Sequence, residues 1–269
     1  MNKLTIGIIS ALALAGSLPA NAQFNIVNPL PQKIQATGFA TVPQSVRIKT
    51  TSQRQQSIAV AALKSALKVE QGAKFTVTLG VKGDKSVKAY TKHLPDKAEA
   101  YWLSVTDKGA VVVGNDEEGL FYGVQTLLGS MAQGKLEKGT VSDWPDVDFR
   151  GTVEGFYGTP WSHQARLSQI EFYGRNKMNT YIYGPKDDPY HRTKWRENYP
   201  ADKAAIIRGL AEAAKKNHVD FVWSIHTGGS INNSESDFKA VVKKLEHVYS
   251  LGVRNFSIFF DDFGGADAD

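Results

Sequence analysis

The second half of the chain alternates short strand-like segments with longer helical ones, four times in succession. Parallel strands need long crossover connections, usually helices, so this rhythm predicts a parallel sheet with helices packed against it. Two architectures satisfy the pattern, a doubly wound sheet and a (β/α)₈ barrel. No G-x-G-x-x-G motif follows any of the strands, which argues against a dinucleotide-binding doubly wound sheet. The strand-like segments, the first of which includes its exit loop, are residues 151–158, 179–184, 219–226 and 254–260.

Local signals predict where the helices between these strands begin and end. Ser162 precedes one apolar-periodic run, and a serine in that position typically caps a helix. Ser234 and Asp237 form a start similar to a capping box, and Pro200 precedes a further helix. Gly252 is suited to terminate the last helix, because glycine readily adopts the left-handed conformation found there.

The first half of the chain, from residue 24 to about residue 145, has a different rhythm. Its strands and helices are mixed, which predicts a small α/β domain whose helices cover one face of a sheet. A domain boundary is expected near Trp144 and Pro145. The predicted strands are 46–50, 74–80, 100–106 and 109–115, and the predicted helices are 55–68 and the run from Leu120 to Met131.

The amino terminus has the pattern of a secretory signal peptide. Lys3 is followed by an apolar run over 4–18, and Ala20-Asn21-Ala22 precedes an expected cleavage at Gln23. The alternative, a transmembrane anchor, needs a longer apolar run. We therefore expect an exported protein, periplasmic or secreted, that does not associate with a membrane after cleavage. The chain contains no cysteine, which excludes disulfides and a lipoprotein anchor.

The charge pattern bears on the class of ligand. The net charge of +5 is spread among mixed charges along the chain, which does not indicate nucleic-acid binding. In a barrel, catalytic groups gather where the strands end. Aromatic, basic and acidic residues follow these strand ends, which favours a pocket for a polar ligand. These residues are 154–157, 183–186, 226–230 and the pair Asp261 and Asp262.

Several of these residues have a purely structural alternative. Glu154 would pair with a nearby base such as Arg150 inside the barrel. Tyr157 would pack its own loop. Lys186 would belong to a solvated turn, because two aspartates follow it. His226 would be a hydrogen-bonded loop histidine.

The adjacent acids Asp261 and Asp262 are harder to explain structurally. Two neighbouring carboxylates repel, so one is expected to keep its proton to higher pH, which suits one acid/base group and one charged helper. Successive strand residues point in opposite directions, so the two acids would reach a substrate from different angles. An ordinary glycosidase instead uses an opposed pair. The alternative is a magnesium or calcium site that also uses Asp267.

Three motifs together resemble glycoside hydrolase family 84, the β-N-acetylglucosaminidases that include O-GlcNAcases and certain bacterial hyaluronidases. They are VEGFYGTPWS (153–162), YIYGPKDDPYHR (181–192) and FFDD (259–262). The first half resembles the α/β domain that precedes the barrel in this family and in family 20 hexosaminidases. The implied fold is α/β, an N-terminal α/β domain followed by about four βα units, the first half of a (β/α)₈ barrel. The implied domains are a signal peptide over 1–22, the α/β domain over 23–145 and the partial catalytic domain over 146–269.

The resemblance also implies a mechanism and a substrate. Family members release β-linked N-acetylglucosamine from glycans or glycoproteins with retention of configuration, using the sugar's own acetamido group to form an oxazoline, with no cofactor or metal. Asp261 would orient the acetamido group, and Asp262 would be the general acid and base. Gly155 would contact a sugar hydroxyl through its backbone. Lys186 would bind ring hydroxyls, and Tyr157 would line the wall near the reacting centre.

Two departures from the family pattern affect these expectations. The segment HTGGSIN (226–232) differs from the proline-glycine loop followed by an acid that the resemblance leads us to expect. A (β/α)₈ barrel takes about 250 residues, whereas about 125 follow the boundary. The sequence therefore reads as a truncated protein. The alternative function is an inactive fragment or a non-catalytic sugar-binding remnant.

Overall fold

The computed structural model of the protein describes residues 27–131, 134–232 and 234–260. The predicted signal peptide over 1–22 and the predicted catalytic pair, Asp261 and Asp262, lie outside the described residues. Within them, no helix is long and apolar enough to cross a membrane.

The first half forms a six-stranded mixed sheet. Its strands are β1 (Lys33–Thr41), β2 (Val46–Lys49), β3 (Phe75–Val81), β4 (Tyr101–Thr106), β5 (Gly109–Gly114) and β6 (Lys135–Asp143), and its helices are α1 (Ile58–Ala66) and α2 (Glu117–Gly129). The strand order is β1-β6-β4-β5-β3-β2. Side chains of both helices join those of the strands in one apolar core. The predicted strands β2 to β5 and both predicted helices are confirmed.

Strands β1 and β6, which pair antiparallel, were not predicted from the sequence. No residue of β1 is fully buried, so its apolar alternation is weak. The register shifts between Ala36 and Gly38, where Gly38 has φ +126°. In β6, the buried positions include the acids Glu137 and Asp143, where a strand pattern leads one to expect apolar residues.

The second half forms a separate four-stranded sheet. Its strands are β7 (Gly151–Glu154), β8 (Thr180–Tyr183), β9 (Asp220–Ile225) and β10 (Asn255–Ile258), with helices α3 (His163–Arg175), α4 (Ala201–Lys215) and α5 (Glu235–Ser250). The four strands are parallel and lie in chain order, β10-β9-β8-β7. One apolar cluster contains buried residues from all three helices together with strand residues such as Tyr181 and Trp223.

This arrangement decides between the two architectures that the sequence left open. A doubly wound sheet reverses its strand order and places helices on both faces. Four parallel strands in unbroken chain order, with the helices in one shared core, match consecutive units of a barrel. The predicted helix starts are also confirmed. The hydroxyl of Ser162 accepts from the N–H of Ala165 at 3.1 Å, and that of Ser234 accepts from Asp237 at 3.2 Å. Gly252 has φ +102° just after α5.

A buried ion pair joins the two sheets. Lys177, in the turn after α3, donates from Nζ to Asp143 Oδ2 at 2.7 Å and to the hydroxyl of Tyr101 at 2.8 Å. The Tyr101 hydroxyl in turn donates to Asp143. Burial lowers the pKa of Lys177 even though Asp143 favours its charged form. The pair therefore fixes the second sheet against the first at a cost in desolvation.

Lys177→Met is expected to destabilise the protein by about 3–5 kcal/mol, because it leaves the Asp143 carboxylate buried without its cation. The double variant Lys177→Met/Asp143→Asn should lose clearly less than the sum of the two single changes. Urea unfolding of the four proteins in a double-mutant cycle measures this coupling. Additive losses would show that the pair does not join the sheets energetically.

Glu137 is a second buried acid in the first sheet, and neither of its carboxyl oxygens has a hydrogen-bond partner among the described residues. Its side chain is enclosed, with the residue only 1% exposed. Burial raises the pKa of Glu137 from 4.5 to about 7. The folded protein thus holds this proton at pH values where the unfolded chain has released it.

This proton gives a pH dependence of definite sign. Between about pH 4.5 and 7 the unfolded chain binds fewer protons, so the wild-type free energy of unfolding falls as pH rises. Relative to Glu137→Gln, the expected loss is about 3 kcal/mol, since each pKa unit is worth about 1.4 kcal/mol, and it levels off above pH 7. Urea unfolding at closely spaced pH values measures it. The exposed Glu246 gives the control variant Glu246→Gln, whose difference from wild type should stay constant. A constant difference for Glu137→Gln as well would contradict the argument.

Candidate active site

The carboxyl ends of the parallel strands meet at one edge of the second sheet. Glu154 at the end of β7 pairs with Tyr183 of β8, which pairs with Trp223 of β9. Ile225 pairs with Ile258 of β10. The segments after these strands are the ones that carry the predicted site residues, so the fold gathers the described part of each segment at a single edge.

Glu154 is fully buried, and its carboxylate holds the segment that follows β7. It accepts from the Arg166 guanidinium through two nitrogens, at 2.8 and 2.9 Å, and from the Tyr181 hydroxyl. It also accepts from the backbone N–H of Trp161 at 3.1 Å, which closes the loop over 155–161. Although burial opposes its charge, hydrogen bonding to Glu154 raises the pKa of Arg166.

Glu154 therefore pairs with a base, as its structural alternative predicted, but that base is Arg166 and not Arg150. Arg150 forms an ion pair with Glu99 of the first half of the chain. Arg166 lies on α3, which packs beside β7, so it reaches Glu154 through the fold even though it is twelve residues away. Arg150 lies at the opposite end of β7 and cannot serve this role.

Lys186 and Tyr157, two of the predicted substrate-binding residues, lie together at this edge. Lys186 Nζ lies 4.9 Å from the centre of the Tyr157 ring, within range of a cation–π interaction. Tyr157 is 80% exposed. The structural alternative, in which Tyr157 packs its own loop, is therefore wrong. Lys186 is half-buried, so it is not part of a freely solvated turn. Their contacts with a substrate stay a prediction.

Gly155, the third predicted residue, lies beside the segment that leads to the acid pair. A side chain at Gly155 would meet the ring of Phe259 at 3.5 Å, and one at Gly184 would collide with the same ring. The N–H of Phe259 donates to the carbonyl of Ile225 at 2.9 Å, which extends the pairing of β10 with β9. The two glycines thus leave room for Phe259 near the ends of β7 and β8. Asp261 and Asp262 follow directly but lie outside the described residues, so their roles stay predictions.

Asp188 is a buried acid that the sequence analysis did not single out. It is 9% exposed, and Oδ2 accepts from the hydroxyls of Tyr183 at 3.0 Å and Tyr199 at 2.6 Å. Oδ1 accepts from the N–H of Tyr190 at 2.9 Å. The sequence offered one weak signal, the Asp-Pro step at 188–189, which is typical of a turn start. The tyrosines that bind the carboxylate become neighbours only in the fold.

The segment over 226–232 is also held in place. His226 is buried, and its backbone N–H donates to the backbone carbonyl of His191 at 2.8 Å. The indole N–H of Trp195 donates to the Ser230 hydroxyl at 2.9 Å. Arg196 donates to the Ser230 carbonyl at 2.7 Å. The loop that departs from the family pattern is thus anchored by the segment between β8 and α4.

Metal binding was the rival chemistry for the acid pair. The described part of the chain contains no group of three or more His, Asp or Glu residues suited to hold a metal ion. The set proposed for such a site, Asp261, Asp262 and Asp267, lies outside the described residues.

Comparisons with known proteins agree with this architecture. Residues 150–268 match the family model of beta-N-acetylglucosaminidase, and residues 25–144 match that of glycosyl hydrolase family 20, domain 2. The solved structure of CpGH84B matches with a TM-score of 0.79 and 35% identity, over 89% of this chain and 44% of that one.

Two curated proteins are similar over shorter stretches. The protein O-GlcNAcase of Rattus norvegicus is 37% identical over 113 residues, which are 42% of this chain and 12% of the relative. The beta-hexosaminidase of Vibrio vulnificus is 36% identical over 124 residues, 45% of this chain and 14% of the relative. The chain thus spans less than half the length of each of these relatives and of CpGH84B.

The family 20 match covers the first sheet, and the beta-N-acetylglucosaminidase match covers the second. The match to CpGH84B covers 89% of the chain and so includes residues of both sheets. The expected fold class and the resemblance read from the three motifs are both confirmed. The chain therefore resembles glycoside hydrolases of family 84, with a region similar to domain 2 of family 20 ahead of a region similar to the beta-N-acetylglucosaminidase family.

Proposed function

We propose that the protein hydrolyses terminal β-linked N-acetylglucosamine from glycans or glycoproteins, with retention of configuration and assistance from the substrate. The observation that carries the proposal is the convergence of three motif segments at one strand edge. Lys186 lies over Tyr157, and Phe259, two residues before Asp261, lies beside Gly155. The similarity to an O-GlcNAcase and a beta-hexosaminidase supports the substrate class.

In the first step, the acetamido oxygen of the sugar attacks its own anomeric carbon while the glycosidic C–O bond breaks. Asp261 orients the acetamido group and stabilises the positive charge that develops on it. Asp262 gives its proton to the departing oxygen. Adjacent acids suit this chemistry, since one serves the acetamido group and the other the glycosidic oxygen.

In the second step, water attacks the anomeric carbon and opens the oxazoline. The Asp262 carboxylate takes a proton from this water and returns to its starting state. Two successive inversions at the same carbon retain the configuration. Lys186 and the backbone of Gly155 hold ring hydroxyls, and Tyr157 forms the wall beside the reacting carbon.

The pattern of the amino terminus supports export, so we place the protein in the periplasm or outside the cell, acting on glycans there. The mixed charge of the chain gives no support to nucleic acid as a partner. The alternative function, sugar binding without catalysis, predicts affinity for N-acetylglucosaminides with no turnover.

The leaving group separates the roles of the two acids. On N-acetyl-β-glucosaminides with a poor leaving group, Asp262→Asn should lower kcat/KM by about 10²- to 10⁴-fold, because the departing oxygen then needs a proton. With an aryl leaving group of low pKa, the loss should be much smaller. Asp261→Asn should be slow on both substrates, because the acetamido attack is needed in each. Initial rates on a matched substrate series measure these effects.

Asp187→Asn is the control, since Asp187 is an exposed acid near the site and its loss should leave both rates near wild type. Equal rates in wild type and both acid variants would refute the proposed roles. Binding of N-acetylglucosamine by calorimetry without any turnover would favour the non-catalytic alternative. A chelator should not change the rates, whereas abolished activity would favour the metal-dependent alternative.

A further inference from the structure

Two consecutive acids after β8 have different surroundings. Asp187 has a side chain that is 57% exposed, and its carboxylate lies 3.7 Å from Arg166. Asp188 is buried and accepts three hydrogen bonds, from the hydroxyls of Tyr183 and Tyr199 and from the N–H of Tyr190. A buried carboxylate is costly to desolvate unless it is fully hydrogen-bonded, so the structure around Asp188 is built to hold a charge.

The donors to Asp188 come from three parts of the fold. Tyr183 is the last residue of β8, Tyr190 lies in the 3₁₀ turn Pro189–His191, and Tyr199 lies just before α4. Burial, followed by the charge of Asp188, raises the pKa of Tyr183 and of Tyr199, so both hydroxyls stay protonated as donors. The carboxylate therefore ties the strand end, the loop and the start of the next helix to one point.

The network extends to a buried cation. Trp223 of β9 donates its indole N–H to the Tyr199 hydroxyl at 3.0 Å, and that hydroxyl donates to Asp188. Lys244 of α5 lies 4.4 Å from the centre of the Tyr199 ring and donates to the Glu197 carbonyl at 2.6 Å. Burial lowers the pKa of Lys244 to about 8, while Asp188 acts to raise it. Asp188 and Lys244 thus interact electrostatically inside the fold.

The 3₁₀ turn Pro189–His191 contacts both the loop that contains Lys186 and the loop over 226–232. The ring nitrogen Nε2 of His191 lies 2.8 Å from the carbonyl oxygen of Pro185, the residue that precedes Lys186. The backbone carbonyl of His191 accepts from the backbone N–H of His226, at the start of the 226–232 loop. Burial lowers the pKa of His191 to about 4, so the ring is neutral and donates to the carbonyl across the neutral pH range.

We propose that Asp188 is a positioning residue that fixes the geometry of the Lys186 loop and of the 226–232 loop over the sugar site. It acts through Tyr183, Tyr199 and the turn that ends at His191, and it does not touch the substrate. The inference rests on the proposed function for its effect on sugar binding. The effect on the loops themselves follows from the contacts of Asp188 alone.

The test compares Asp188→Asn with Asp187→Asn, two identical changes at neighbouring positions, in the whole protein. Hydrogen exchange followed by mass spectrometry reports the loops without requiring activity. We expect exchange over 184–192 and 226–232 to accelerate about tenfold or more in Asp188→Asn, because a buried hydrogen-bonded charge is lost. Exchange in β1 to β6 should not change, and Asp187→Asn should behave as wild type throughout.

The second measurement is the division of the effect between KM and kcat. For an aryl N-acetyl-β-glucosaminide, Asp188→Asn should raise KM about tenfold and change kcat by less than about threefold, because the lost contacts position a binding residue. Asp188→Glu, which keeps the charge, should recover part of the KM. Global destabilisation alone would lower the active fraction and leave KM unchanged.

Tyr199→Phe removes one hydrogen bond to Asp188 without removing a charge. If Asp188→Asn does not fold, this variant replaces it in the exchange experiment. It should accelerate exchange in the same two segments to a smaller degree. The proposal is overturned if exchange in both segments stays at the wild-type rate in the folded variants, or if Asp187→Asn has the same effect. Absence of turnover in wild type refutes the proposed function, and the exchange results then still decide whether Asp188 holds the loops.

Discussion

The parallel pairing of the four strands of the second sheet is the constraint on which the candidate site depends. Because these strands run in one direction and in chain order, every segment that leaves a carboxyl end emerges at the same edge. Buried carboxylates then hold the emerging segments: Glu154 closes the segment after β7, and Asp188 ties the segment after β8 to the start of α4. Each carboxylate must be fully hydrogen-bonded to be buried, which leaves its loop little conformational freedom.

The first domain contacts the second at the end opposite to the site. Lys177, which pairs with Asp143, precedes β8, and Arg150, which pairs with Glu99, precedes β7. His218, which lies against Phe121 and Glu118, precedes β9. These contacts therefore support the amino ends of the strands and leave the carboxyl ends to their own loops. Among the described residues, these contacts between the two halves lie at the amino ends of the strands, away from the edge that holds Tyr157 and Lys186.

Local patterns were sufficient for much of the fold and for part of the site. The periodicity and caps of α3, α4 and α5 depend on residues close in sequence, so Ser162, Ser234 and Gly252 could be assigned correctly. Strands β1 and β6 were missed because β1 buries no residue fully and β6 buries acids. The motif segments could be placed at strand ends. The alternative that paired Glu154 with a base gave Arg150 as its example and not Arg166, and Asp188 was considered only in the alternative that placed Lys186 in a solvated turn.

The sequence by itself determined the alternation of strands and helices, the helix boundaries and the family that the motifs resemble, because each depends on residues near one another in the chain. Only the tertiary structure decided the strand order, the pairing of Glu154 with Arg166 and the burial of Asp188. The physical reason is that the free energy of a buried charge depends on which donors surround it. Those donors, such as Tyr199 for Asp188 and Lys177 for Asp143, are brought together by packing between elements that are distant in the chain.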